Sequence, residues 1–132
     1  MKFNKFSWLV FLIYWLIFIF ALSHQEFVVV ETAHKFNISE MLKYEWTQIV
    51  AHFIEYLVLC LLLVINFNKW TKYNLKSIFL MSICLCMIYA ISDEYHQTFI
   101  AGRSSSFYDL MFDFLGTIAG LCLYKLYEKK TT

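Results

Sequence analysis

Charge is segregated along this chain, and that limits what it can fold into. Twenty residues between Lys5 and Glu26 carry no charge, and Trp46 to Asn68 carries only Glu55 over twenty-three. Ser77 to Ser92 is uncharged over sixteen residues, and Ser104 to Tyr124 holds only Asp109 and Asp113 over twenty-one. As helices rising ~1.5 Å per residue, the first, second and fourth stretches reach about 30–34 Å, the thickness of a bilayer's hydrocarbon core. The third reaches only about 24 Å, so its helix is expected to continue through Asp93 to about Gln97. Spans are therefore expected at about 6–25, 46–68, 77–97 and 104–124. Composition agrees, because 61% hydrophobic and 16% charged residues in 132 make more apolar surface than one core of this size can bury. That excludes a disordered chain, a nucleic-acid-binding tail and an ordinary soluble enzyme domain, and no nucleic-acid partner is expected. The reading is an all-α membrane protein, a four-transmembrane-helix bundle forming one domain over residues 1–132, without internal repeats or linkers.

Basic residues set the expected orientation. Lys2 and Lys5 precede the first span, Lys69, Lys72 and Lys76 join the second to the third, and Lys125, Lys129 and Lys130 follow the fourth. Eight of the eleven basic residues thus fall on one side, against Lys35, Lys43 and Arg103 on the other. By the positive-inside rule both termini are cytoplasmic, and the loops holding Lys35, Lys43 and Arg103 face outward. The apolar run after Lys5 is longer than the ~7–15 residues of a signal-peptide core, so it is read as a retained span. The stretch Ser23–Glu45 is read as a connecting loop. Cys60, Cys84, Cys86 and Cys122 lie inside apolar runs, where thiols behave as small hydrophobes rather than as a metal or redox site.

Ionisable residues inside spans are costly, about 2.5–3.5 kcal/mol each near the bilayer centre, and normally face the bundle interior. Here they are His52 and Glu55 on the second span, Asp93, Glu94 and His96 at the end of the third, and Asp109 and Asp113 on the fourth. Counting ~1.5 Å per residue places His52 about 9 Å below Trp46, Asp113 about 9 Å below Phe107 and Asp93 about 6 Å below a surface near Gln97. The faces agree. Gln48, His52, Glu55 and Tyr56 share a stripe about 100° wide, and so do Tyr89, Ser92, Asp93 and His96, whereas Glu94 points away. Asp109 and Asp113 share a face with Gly116 and Gly120, a small-xxx-small pair that lets a neighbouring helix approach closely. The expectation is one polar cavity near the outer face, shared by His52, Glu55, Asp93, His96 and Asp113.

The run Ala90-Ile91-Ser92-Asp93-Glu94-Tyr95-His96-Gln97-Thr98-Phe99-Ile100-Ala101-Gly102-Arg103, followed by Asp109, Asp113 and Gly116, resembles the VanZ-like family of bacterial membrane proteins. His52-Phe53-Ile54-Glu55-Tyr56 resembles that family's other hallmark, and Ser23-His24-Gln25 its first-span ending. The chain departs from the pattern at Ala101, where members often have proline, and at Gln48 and Ile49, where they often carry basic residues. The founding member is associated with low-level resistance to the glycopeptide teicoplanin. The resemblance thus implies a multi-pass protein of the bacterial plasma membrane with a role in the cell envelope.

Together these residues make His52, Glu55, Asp93, Glu94, His96, Asp109 and Asp113 the candidates for proton transfer. Ser23, Gln25, Gln97 and Arg103 are the candidates for ligand binding, because Arg103 can grip a phosphate or carboxylate bidentately. No nucleophile motif is present. Imidazole mixed with carboxylate suits a divalent zinc, manganese or iron ion, although the spacings match no defined metal motif. The expected partners are membrane lipids, among them a lipid-linked cell-wall intermediate. An enzyme acting on such a lipid, a non-enzymatic lipid or drug binder or translocator, and a scaffold of envelope machinery all remain open, as does oligomeric state.

Overall fold

The computed structural model describes residues 4–24, 38–101, 103 and 105–131, with side chains except at 38–45 and 131. Four helices follow in order: α1 (Lys5–Ser23), α2 (Ile38–Trp70), α3 (Leu75–Gln97) and α4 (Phe107–Thr131). All four are long and apolar enough to cross a membrane. Their starts are chemically marked. Asn4 caps α1 by accepting from the Ser7 N–H at 2.8 Å, and Asn74 caps α3 by accepting from the Ser77 N–H at 2.9 Å. Helix α3 runs past Asp93 to Gln97, the length its short uncharged run needs to span.

One expectation is corrected. The stretch up to Glu45 is not all connecting loop, because α2 begins at Ile38, eight residues before its membrane-spanning portion, Trp46–Trp70. Met41, Leu42, Lys43 and Glu45 are good helix formers, and a helix already nucleated in the span propagates through them at little cost.

Helix α2 packs against all three others, while the α1 and α4 backbones do not approach closely among the described residues. Its closest partner is α4, and the two glycines explain why. A Cβ built on Gly116 would stand 2.2 Å from the Phe53 carbonyl oxygen, and one on Gly120 would stand 2.8 Å from that of Leu57. The small-residue face of α4 therefore lies directly on the α2 backbone, which neither position would allow with a side chain.

Helix α1 is held differently, by side chains that donate to backbone carbonyls across the helix contacts. Asn66 Nδ2 donates to Trp8 O at 3.0 Å and Tyr89 Oη to Leu16 O at 2.7 Å, while Trp15 Nε1 donates to Glu55 O at 2.9 Å. Each bond supplies an apolar-medium partner for a polar side chain that lipid could not satisfy. Lys5 Nζ sits 4.4 Å from the Trp70 ring, joining the start of α1 to the end of α2. Between the helices Ile19, Tyr56, Leu59, Cys60, Val64, Ile78, Cys86 and Ala90 are fully buried, whereas Val10, Leu80 and Ile88 on the outer faces are more than 60% exposed. Such faces are stable only against lipid tails. All four cysteines are free, with Cys86 buried and Cys84 exposed on opposite sides of α3.

Candidate functional site

At the end of the bundle where α1 and α3 finish and α2 and α4 begin, the buried polar residues divide into two compartments, with His52 in the wall between them. The first is a cavity of about 110 Å³ between α1, α2 and α3. Helix α2 contributes Gln48, Ala51, His52 and Glu55, successive turns of one face. Helix α3 contributes Asp93 and Gln97 one turn apart, with Gln97 Nε2 donating to Asp93 Oδ2 at 3.3 Å. Leu22 and Ser23 close the side toward α1. The Ser23 hydroxyl is buried without a hydrogen-bond partner.

Arg103 reaches this cavity by way of the turn after α3. Phe99 N–H donates to His96 O, Ile100 N–H to Gln97 O and Arg103 N–H to Ile100 O, at 3.0, 3.0 and 3.1 Å. These tight turns fold the chain back over the helix end and bring the guanidinium above the cavity. There it donates to Gln48 Oε1 and to the Leu22 carbonyl, each at 3.2 Å, clasping α1 to α2 at the rim. Gln48, on the same α2 stripe but not among the residues expected from sequence to form the site, also lines the cavity. Its position one turn before His52 was the available signal.

The second compartment lies toward α4. His52 Nδ1 and Asp113 Oδ1 are 2.9 Å apart, with Asp113 only 1% exposed. A carboxylate only accepts, so with Asp113 ionised a ring hydrogen lies on Nδ1, and Nε2 keeps its lone pair when the imidazole is neutral. Thr117 Oγ1 donates to Asp113 O at 2.9 Å, one turn along α4. Glu94 is buried here. Its Oε2 accepts from the Ser106 N–H at 2.7 Å, just ahead of the first turn of α4, where the helix dipole favours a carboxylate. Asp109, half-buried in that first turn, brings a carboxylate oxygen near both Glu94 and His52.

Three sequence expectations are therefore revised. His96 does not join His52 and Asp93. Its Nε2 lies 3.1 Å from His24 Nδ1, and its ring packs 4.8 Å from that of Phe20, because the last turn of α1 covers that edge of α3. His24, read from sequence as a loop residue, is thus its partner. Glu94 points away from the Asp93 stripe, as expected, and is buried because α4 packs on that second face of α3. Asp109 and Asp113 share a face, but neither lines the cavity. Tyr56, on the α2 stripe, sits wholly in the core with its hydroxyl unpartnered. Gln25 lies outside the described residues.

These features define a class: a multi-pass helical membrane protein whose buried histidine and carboxylates gather at one end of a four-helix bundle. The family model described as VanZ/LLP1 matches residues 8–128, and the chain belongs to that family. No curated protein and no solved structure matches it.

Proposed function

We propose that the cavity beneath Arg103 receives the polar headgroup of a cell-envelope lipid at the outer face of the bacterial plasma membrane. The observation that carries this reading is the cavity itself: an arginine at the rim, with Gln48, His52, Glu55, Asp93 and Gln97 beneath it. A cavity of about 110 Å³ fits a phosphate, carboxylate or amine of a headgroup rather than an intact glycopeptide. Arg103 anchors the anionic part of the headgroup through the guanidinium fork. Glu55 and Asp93 below accept from a headgroup amine or hydroxyl, and His52 offers a route for proton exchange. The eight-to-three basic asymmetry supports an outward-facing site. A lipid-linked cell-wall intermediate meets these requirements, and capture of such a lipid is the route by which this member would contribute to teicoplanin resistance.

The test is lipid retention by the full-length protein in nanodiscs containing bacterial phospholipids and an undecaprenyl-linked precursor. Native mass spectrometry should show a retained anionic or zwitterionic lipid that Arg103→Ala and Asp93→Asn release. Incubation with the same lipid and analysis of products separates turnover from binding. Retention of lipid unchanged in both variants would refute the headgroup reading and leave a scaffold role.

A further inference from the structure

The headgroup cavity leaves one cluster unused. On the α4 side of His52, one ring nitrogen of His52, one carboxylate oxygen of Glu94 and one of Asp109 all lie within 4.8 Å of one another. They come from α2, α3 and α4, so the tertiary fold and not any sequence spacing assembles them. Two carboxylates this close repel one another unless a proton or a cation sits between them.

Two further observations point to a cation. Glu94 is 4% exposed and its Oε2 is fixed by the Ser106 N–H, yet its other oxygen, Oε1, is buried with no hydrogen-bond partner. An orphaned carboxylate oxygen in a low-dielectric interior is expensive, and a bound ion is one of the few things that satisfies it. Asp113 holds His52 Nδ1 at 2.9 Å, so the neutral ring has its other nitrogen, Nε2, to offer an ion. A carboxylate orienting a histidine through its far nitrogen is the arrangement that supports metal-ligating histidines.

We infer that His52, Glu94 and Asp109 form a divalent metal site, with Asp113 positioning the histidine. One imidazole nitrogen and two carboxylate oxygens, without sulfur, select zinc, manganese or ferrous iron over cuprous copper or an iron–sulfur cluster. Ligand atoms ~2.1 Å from a tetrahedral ion stand about 3.4 Å apart, so small side-chain rotations close the observed cluster. Three protein ligands leave at least one coordination position for water or another oxygen ligand. The site shares only His52 with the headgroup reading, because Glu94 and Asp109 do not line the cavity.

Full-length protein, stripped with chelator in detergent, is titrated with Zn²⁺ and separately with Mn²⁺ by equilibrium dialysis with elemental analysis, and with Co²⁺ by visible absorption. No lipid ligand is needed, so the result stands whether or not the cavity binds a headgroup. The expected result is one saturable ion per chain. Glu94→Gln and Asp109→Asn should each weaken binding about tenfold or more, and Asp113→Asn by about 10–100-fold. Glu128→Gln, near the other end of α4, should leave it unchanged. Asp109→Asn carries the test if Glu94→Gln does not fold, because Asp109 is half-buried and an amide is tolerated in a first helical turn. Absence of saturable binding, parent-like affinity in Asp109→Asn, or a cobalt–thiolate charge-transfer band would each overturn the site.

Discussion

His52 on α2 and Asp113 on α4, sixty-one residues apart in sequence, meet at 2.9 Å with both side chains buried. The pair ties together the two helices that pack most closely, and it fixes the ring that divides the cavity beneath Arg103 from the Glu94–Asp109 cluster. A buried polar contact between membrane helices contributes little on average, so its position at the junction of two compartments argues for orientation rather than adhesion.

Asp113→Asn tests that distinction. The amide oxygen can still accept from Nδ1, so the bundle should lose only about 0.6 kcal/mol and no more than about 1.7 kcal/mol. Titration with denaturing detergent, followed by far-UV circular dichroism, measures the loss. A loss above about 3 kcal/mol would make the pair the main lock of the bundle and its role chiefly architectural.

The two glycines should rank in a definite order. A Cβ at Gly116 would meet the Phe53 carbonyl oxygen at 2.2 Å, against 2.8 Å to the Leu57 oxygen at Gly120, and backbone cannot swing aside as a side chain can. Gly116→Ala should therefore destabilise more than Gly120→Ala, the overpacking costing about 1–3 kcal/mol. Both should also pull His52 from Asp113. Equal or inverted losses in the same unfolding assay would show that α2 and α4 approach each other elsewhere.

Arg103 joins Gln48 Oε1 and Leu22 O with two different nitrogens, each at 3.2 Å. Lysine keeps the charge but has one ammonium in place of the planar fork, so Arg103→Lys should lower lipid retention about tenfold. Gln48→Ala should lower it less, because Arg103 keeps the Leu22 carbonyl. Lipid retained per chain in nanodiscs, compared across the three proteins, decides the matter; full retention by Arg103→Lys would reduce Arg103 to a point charge.

Orientation is tested by cysteine labelling in a background lacking the four native thiols. Ser105→Cys, in the turn before α4, should react with an impermeant maleimide applied to intact cells, and Thr71→Cys, between α2 and α3, only after permeabilisation. Labelling of Thr71→Cys in intact cells would invert the topology and place the site toward the cytoplasm.

Much of the architecture was legible along the chain. The uncharged runs marked the spans, the shortness of the third required Asp93 to lie inside a helix, and the Gly116–Gly120 spacing marked a close-packing face. The stripe through Gln48, His52 and Glu55 also proved to be one wall of the cavity. His96 shows where such reading stops. It shares a stripe with Asp93, yet it turns to His24, because the last turn of α1 covers that edge of α3.

The sequence by itself determined four apolar helices and the face on which each polar residue lies, because charge segregation and the 100° step are properties of neighbours along the chain. Which face meets which helix was decided only by tertiary structure. Glu94 is buried because α4 begins against the second face of α3, and Asp109 comes near His52 because Gly116 and Gly120 let α4 settle onto the α2 backbone. Those azimuths depend on packing between segments far apart in sequence, and no local pattern records them.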